Sequence, residues 1–446
     1  MRFRQVMAAL MPAGAASALA ILPVGASVAA HPASPGAGRV TPAVSSPLAY
    51  RYVGKDGTRA ASSGYLFTCQ QPGSEPNCYT PQELASAYDI PKNLTGAGQT
   101  IVLIDAFGDP TVTQDLGVED STFKLPGASL SIIYPNGKPA FNPANADEAN
   151  WSGEIALDVE SAHAVAPAAK IDLVIAKNDQ DPAMLSALRY VVAHHLGSVL
   201  SQSYGEAESC EASSIVKADH ALYASAEAQG VTVFAAAGDN GAAQPSCDGT
   251  TYIRSASLPA ADPLVTGVGA TSLTASQPSG GYKSETAWND SYGSSGGGYS
   301  KLYKRPSYQN GFVSSSGRGV PDISYSGDVN NGLLIAWSQG VTANVGNIYE
   351  FGGSSGAAPE WAAIIALADQ SGHRRLGFLN SDLYSLAHGS RYGYVFHDVT
   401  RGSNTVSAAG SNNKSVRVTG YAAGKGWDAV TGLGTPIVAH LIQYLH

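Results

Sequence analysis

Phe351-Gly352-Gly353-Ser354-Ser355-Gly356-Ala357-Ala358-Pro359 places a serine at a glycine-rich turn that runs straight into an apolar segment, Ala358 to Gln370, rich in alanine and isoleucine. The pattern predicts a helix over that segment, so Ser355 stands near a helix N-terminus, where free backbone N–H groups and the helix dipole stabilise an anion. A nucleophilic serine is favoured in that setting. A serine after glycines is also an ordinary helix cap, and in a chain with 50 glycines the turn alone does not choose between the two.

A second segment, Gly153-Glu154-Ile155-Ala156-Leu157-Asp158-Val159-Glu160, changes the balance. Glu154 and Asp158 are four residues apart on a helical stretch, which stacks two like charges on one face and destabilises an isolated helix by a few tenths of a kcal/mol. Ile155, Ala156, Leu157, Val159, Ala162, Ala164 and Val165 make the same helix apolar nearly all round, so it is expected to be buried. Buried paired carboxyls persist when they share protons, which is how a site obtains one acid and one base with separated pKa values. Glu160 reads as a solvated face of this helix.

With these motifs the chain resembles the sedolisins, the serine-carboxyl peptidases that share the subtilisin fold. Their pattern has a Glu and an Asp four apart on one helix, an Asp in a Gly-Asp-x-Gly turn, and the nucleophile in a Gly-Thr-Ser-x-x-x-Pro turn. Glu154 and Asp158 match the first, and Asp239 in Ala237-Gly238-Asp239-Asn240-Gly241 the second. Gly353 to Pro359 matches the third, with Ser354 where threonine is usual. The likeness runs from about Cys78 to Pro436. It implies an α/β fold, a subtilisin-like doubly wound sandwich with a mostly parallel central sheet. It also implies roles: Ser355 as nucleophile, Glu154 as its base, Asp158 holding Glu154, and a protonated Asp239 donating to the oxyanion. Asp105, at the end of the apolar run Ile101 to Ile104, is either a partner of Glu154 or a strand-end turn residue.

Near the C-terminus, Phe396-His397-Asp398-Val399-Thr400 precedes the segment Ala423 to Pro436, which contains Gly424, Gly426 and Asp428. On its residues alone this reads as a turn. The resemblance makes it a Ca²⁺ site, with Asp398 and Asp428 as side-chain ligands and carbonyls from Val399, Gly424 and Gly426, a donor set of the kind Ca²⁺ takes.

Residues 1–30 combine Arg2 and Arg4, a long apolar run from Val6 and a small-residue end at Val28-Ala29-Ala30, which reads as a cleaved signal peptide. Pro12 and Pro23 interrupt the run and argue against a membrane anchor, and no later segment is long and apolar enough to span a bilayer. A secreted, extracellular protein is expected, with residues 31–64 as a flexible Pro/Ala/Gly/Ser-rich arm and 65–446 as one large peptidase domain. Relatives usually carry a long folded prosegment, whereas here a short arm precedes the domain. The four cysteines pair by neighbourhood, Cys69 with Cys78 and Cys210 with Cys247, free buried thiols being the alternative. Asn93, Asn289 and Asn413 each open an Asn-x-Ser/Thr triplet, near chance frequency in so long a chain.

Only 14% of residues are charged, and the formal net charge of −9 comes with no basic stripe, so nucleic acid is not an expected partner. Near pH 4 the net charge would be on the order of +15 to +20, and sparse charge limits the self-repulsion this brings. Apolar runs at Thr100–Phe107, Lys170–Ala176, Ser198–Tyr204 and Val231–Ala237 alternate with helical patterns around Glu154, from Ala183 to His195 and from Ser213 to Ala228. That alternation predicts a parallel sheet with helices on both faces.

Ser295-Gly296-Gly297-Gly298 is either a substrate-binding strand edge, with Ser295, Gly296 and Gly297 against the peptide, or a surface loop. Arg318 and Asp322 read as a structural ion pair. Tyr204 stands where relatives often have tryptophan; its phenol is able to hydrogen-bond a carboxylate, so altered tuning rather than loss of activity is expected. The expected protein is a monomeric secreted peptidase that hydrolyses proteins or peptides in acid through an acyl-enzyme on Ser355, endo- or tripeptidyl-acting, without nucleic-acid or membrane partners. The alternative is a catalytically inactive secreted binding protein of the same fold. A glycosidase pair must flank its sugar about 5 to 10 Å apart, which two carboxyls on one helical turn cannot do. A neutral subtilase would need a catalytic histidine, and no His-Gly-Thr motif surrounds His163.

Overall fold

The computed structural model describes residues 41–42, 50–55, 65–71, 73–74, 77–340, 344–411 and 414–445. The expected signal peptide, most of the expected arm and Asn413 lie outside the described residues. An eight-stranded sheet forms the centre: β1 (Thr100–Ala106), β2 (Ser129–Ile133), β3 (Lys170–Ala176), β4 (Val199–Gln202), β5 (Thr232–Ala236), β6 (Thr266–Ala275), β7 (Tyr282–Ala287) and β8 (Ile323–Ser326). Its order is β7-β6-β5-β4-β1-β3-β2, with β8 also paired to β6. Every pairing is parallel except β6 with β7. Strands buried on both faces must be apolar on both, which is why Ile101 to Ile104 is a continuous run with no alternation.

The two faces carry different helices. Ile101 and Leu103 pack into a core with Ile155 and Leu157 of α1 (Ala146–Val165) and Trp361 and Ile364 of α4 (Ser354–Gly372). Val102 and Ile104 pack on the other side with Met184 and Leu188 of α2 (Asp181–Ala193) and Val216 and Tyr223 of α3 (Ser213–Ala228). This is the doubly wound α/β sandwich expected from the sequence. The chain leaves β1 for β2 and β3 on one side, then crosses to β4 on the other. Open α/β sheets bind ligands at the carboxyl ends of the strands beside such a reversal, and Asp105, Ser203 and Asp239 lie at or just past the ends of β1, β4 and β5.

Two described pieces of the expected arm pair with strands of the fold. Tyr50–Lys55 pairs antiparallel with Asn347–Phe351 at the edge of a four-stranded sheet, directly ahead of the Ser355 turn. Thr41–Pro42 pairs antiparallel with the strand Tyr204–Ala207. Both expected disulfides, Cys69–Cys78 and Cys210–Cys247, are formed. Arg318 and Asp322 form a fully buried ion pair, Nη2 to Oδ2 at 2.6 Å and Nη1 to Oδ1 at 3.1 Å, with Arg318 Nη2 also donating to the Val265 carbonyl at 3.0 Å. No helix among the described residues is long and apolar enough to cross a membrane.

Candidate active site

The turn before α4 needs a residue with positive φ at position 353, and Gly353 supplies it at 114°. Ser354 and Ser355 then open the helix, where backbone N–H groups have no intrahelical acceptor. Pro359 lies inside the same helix and has no N–H to give to the carbonyl four residues earlier, that of Ser355. The freed Ser355 carbonyl accepts from Ser203 Oγ at 3.3 Å, which ties the Ser355 backbone to the end of β4.

Helix α1 brings Glu154 and Asp158 to the same place. Glu154, Asp158, Asp105 and Ser355 are all 0% exposed, and neither carboxyl oxygens nor the Ser355 hydroxyl makes a hydrogen bond of regular geometry. Burial pushes the Glu154 pKa well above the usual carboxyl value, and the neighbouring Asp158, Asp105 and Asp239 push it further, while the Ser355 hydroxyl beside it favours the charged form. Asp158 is raised by burial and by Asp105, with the Ser203 hydroxyl acting the other way. Burial lifts Asp105 to about 7. Among the described residues no cation acts on these three carboxyls, so burial and mutual repulsion favour their protonated forms. The two readings of Asp105 thus resolve in favour of partnership with the carboxyl pair.

Asp239 is held by a residue whose part the sequence reading missed. The Ser354 backbone N–H and hydroxyl both donate to Asp239 Oδ1 at 2.7 Å, and the Gly238 N–H donates to Ser354 Oγ at 3.0 Å. Threonine, usual in that slot, carries the same hydroxyl, which was the available signal. Ser203 was missed as well, and only the proline four residues after Ser355 hinted that some other donor must serve that carbonyl.

Several expectations change. Glu160 is not solvated: it is 1% exposed, accepts the Ala336 N–H at 2.7 Å and lies against Glu119, because α1 is covered on that face too. The Tyr204 hydroxyl donates to the amide oxygen of Gln202 at 2.7 Å, not to a carboxylate. Ser295 is committed to structure, donating to the Val430 carbonyl at 2.7 Å and accepting the Ala270 N–H at 3.0 Å. Gly296 packs so tightly that a Cβ would sit 2.0 Å from the Ala237 carbonyl oxygen. Beyond it, Gly297 and Gly298 border a cleft of 610 Å³ that also holds Tyr299, Lys301, Arg254 and Tyr421. His163 Nε2 contacts Asp120 Oδ1 at 2.8 Å and the Pro126 carbonyl at 3.0 Å, outside the catalytic group.

At the C-terminal loops, Asp398 and Asp428 meet the glycine turn. Gly426 N–H donates to Asp398 at 3.1 Å, Gly424 N–H to Asp428 Oδ2 at 3.0 Å, and the N–H groups of Val430 and Thr431 to Asp428 Oδ1 at 2.9 Å. Each carboxylate oxygen has lone pairs left after these bonds. Among the described residues no three His, Cys, Asp or Glu side chains gather as metal ligands, so an ion here would depend on the two carboxylates with carbonyls from Val399, Gly424 and Gly426. That all-oxygen donor set fits Ca²⁺.

A family model for the subtilase family matches residues 143–377, a span that contains Glu154, Asp158, Asp239 and Ser355. Fold and site therefore define a subtilase. Within that class the chain is 35% identical over 396 residues to kumamolisin of Bacillus sp. (strain MN-32), covering 85% of this chain and 66% of that protein. It is 30% identical over 383 residues to sedolisin of Pseudomonas sp. (strain 101), covering 82% of this chain and 61% of that protein. A solved structure of Pseudomonas sedolisin, a serine-carboxyl proteinase complexed with two molecules of pseudo-iodotyrostatin, superposes with a TM-score of 0.71 at 29% identity, over 84% of this chain and 99% of that one. The chain belongs to the sedolisin family of serine-type peptidases. It spans about two thirds of the length of the curated relatives it matches, 66% and 61%.

Proposed function

We propose that the protein is a serine-carboxyl peptidase, secreted and active in acid, that cleaves peptide bonds through an acyl-enzyme on Ser355. The observation that carries this is three buried carboxyls, Glu154, Asp158 and Asp105, gathered at a buried serine on a helix N-terminus with no cation among them. Three such groups cannot all ionise, so in acid the cluster holds protons and still supplies a basic oxygen where histidine would be charged. Ser355 Oγ attacks the scissile carbonyl carbon and its proton passes to Glu154, which Asp158 holds in position. Charge on the carbonyl oxygen is met by the Ser355 N–H and by a protonated Asp239 aimed by Ser354. The carbon–nitrogen bond then breaks and the amine leaves with the proton from Glu154. Water repeats the sequence on the ester and restores Ser355.

A pH profile tests this. Hydrolysis should peak in acid and fall steeply as pH passes about 7, where Asp105 ionises and adds charge beside Glu154. Asp239→Asn keeps a donor and should retain more of its activity at higher pH than Asp239→Ala. Identical profiles for the two variants would remove Asp239 from the oxyanion role.

Asp398 and Asp428, with the carbonyls of Val399, Gly424 and Gly426, are proposed to hold one structural Ca²⁺. The ion supplies positive charge that neutralises two carboxylates in the loop, and the acyl-transfer chemistry needs none of it. An ion bound only to the folded chain stabilises it by about 2.7 kcal/mol at a hundredfold excess over Kd. Burial lifts Asp428 to about 6, so protons compete with the ion in acid. Chelator should lower the melting temperature clearly at pH 6 and little at pH 3, leaving the initial rate per folded molecule unchanged. A melting temperature indifferent to chelator at pH 6 would show the loop to be a turn only.

A further inference from the structure

A second group of carboxyls lies under the strand Tyr204–Ala207, apart from the catalytic ones. Tyr204 and Glu206, two apart and so on one face of that strand, line a small cavity with Asp181, Glu211 and Asp219. Asp181 is 3% exposed and Glu206 8%. Both carboxyl oxygens of Asp181 and Oε1 of Glu206 are buried with no hydrogen-bond partner. Among the described residues no lysine or arginine lines the cavity, and none of the four carboxyls is in an ion pair. Buried acceptors are rarely left without donors in native structures, so the site lacks a donor that a ligand would bring. The cavity measures 20 Å³, room for about one water or one ammonium group.

The strand above it shows how a peptide would reach this cavity. One edge of Tyr204–Ala207 is covered by Ser257–Leu258, and the other takes Thr41–Pro42 as an antiparallel partner, Thr41 opposite Gly205 and Pro42 opposite Tyr204. A substrate peptide taking the place of Thr41–Pro42 in this register runs from Glu206 toward Ser203, whose hydroxyl is bonded to the Ser355 carbonyl. Directly opposed residues of an antiparallel pair project to the same face. Peptide residues opposite Tyr204 and Glu206 therefore point to the cavity side.

We propose that this cavity is a subsite for an ammonium group carried by the substrate on the N-terminal side of its scissile bond, with Asp181 and Glu206 as the groups that bind it. The proposal rests on the peptidase reading. Two sources share the chemistry, a lysine side chain and a free α-amino group. Burial, together with the other carboxyls, lifts Asp181 and Asp219 to about 6, Glu206 to about 8 and Glu211 to about 10. The empty cavity is therefore protonated in acid. An entering ammonium favours the ionised carboxyl, so one proton leaves to solvent as the cation binds, and the preference grows with pH. The other charged groups acting on this set are Asp179, which acts on Asp181, Arg189 and Asp262, which act on Asp219, and His220, which is paired with Asp262.

The test scans lysine against norleucine through the four positions before the scissile bond, in peptides with free and with acetylated N-termini, using the full chain at pH 3.5 and 5.5. One lysine position or the free N-terminus should raise kcat/KM about tenfold at pH 5.5, as a charged hydrogen bond allows, and by less at pH 3.5. A response to lysine alone identifies the side chain, and a response to acetylation alone identifies the α-amino group. Asp181→Asn and Glu206→Gln should each bring the ratio toward one, and the wild-type comparison stands even where a variant does not fold. Equal cleavage of charged and neutral peptides would overturn the subsite while leaving the peptidase intact. If no peptide is cleaved, the peptidase reading fails instead. Calorimetric binding of the same peptides to the Ser355→Ala protein then decides the subsite, and equal affinities would overturn it.

Discussion

Replacing Ser355 with alanine is expected to lower peptide hydrolysis in acid by roughly four orders of magnitude or more, since it removes the attacking oxygen, and the nearby hydroxyls of Ser203 and Ser354 are engaged with the Ser355 carbonyl and Asp239. The same change should leave the fold intact. Ser355 Oγ makes no hydrogen bond of regular geometry, its influence on Glu154 is smaller than that of burial, and the backbone tie from Ser203 to the Ser355 carbonyl remains. Alanine also suits a helix. Activity measured on a chromogenic peptide at pH 4, beside a melting curve, separates lost chemistry from lost structure. Turnover within about tenfold of the wild type, in a preparation free of contaminating peptidase, would remove Ser355 from its role and favour the inactive binding protein.

The second large effect is on stability. Burial raises Asp105 to about 7 and Asp109 to about 7, from an ordinary value of 3.8 in each. It also raises Glu154, Asp158, Glu119 and Glu160 without a compensating cation. For an acid whose folded pKa lies above its unfolded one, the folded state binds more protons, so stability is full below about pH 4 and is lost as pH climbs to the folded value. Three pKa units correspond to about 4 kcal/mol per group. Asp105 and Asp109 together thus approach the net stability of an ordinary domain, about 5–15 kcal/mol. The melting temperature of chelated protein should be highest near pH 4 and lower by about 10 °C or more at pH 8. Asp109→Asn, which removes one titrating group outside the catalytic set, should flatten that slope. A melting temperature that rises between pH 4 and pH 8 would show these carboxyls to be compensated.

The candidate site residues were legible because their spacing is local. Glu154 and Asp158 are one helical turn apart, and Ser355 is fixed by the glycines before it and the apolar run after it. The sheet was legible for the same reason, since Thr100–Ala106 and Thr232–Ala236 are apolar on both faces and only a strand covered twice needs that. Glu160 was misread because its neighbour Glu119 is distant in sequence, and covalent spacing on α1 says nothing about what packs on its far side. Ser203 and Ser354 were missed because a serine hydroxyl has no pattern of its own. Their parts exist only once the end of β4 and the turn after β5 are folded against α4. The sequence by itself determined the main elements and the place of Ser355 at a helix start, because periodicity and turn chemistry act over a few residues. Tertiary structure alone decided which carboxyls lie close enough to raise one another's pKa and which hydroxyls they meet, because burial and Coulomb interaction depend on distance through space and not along the chain.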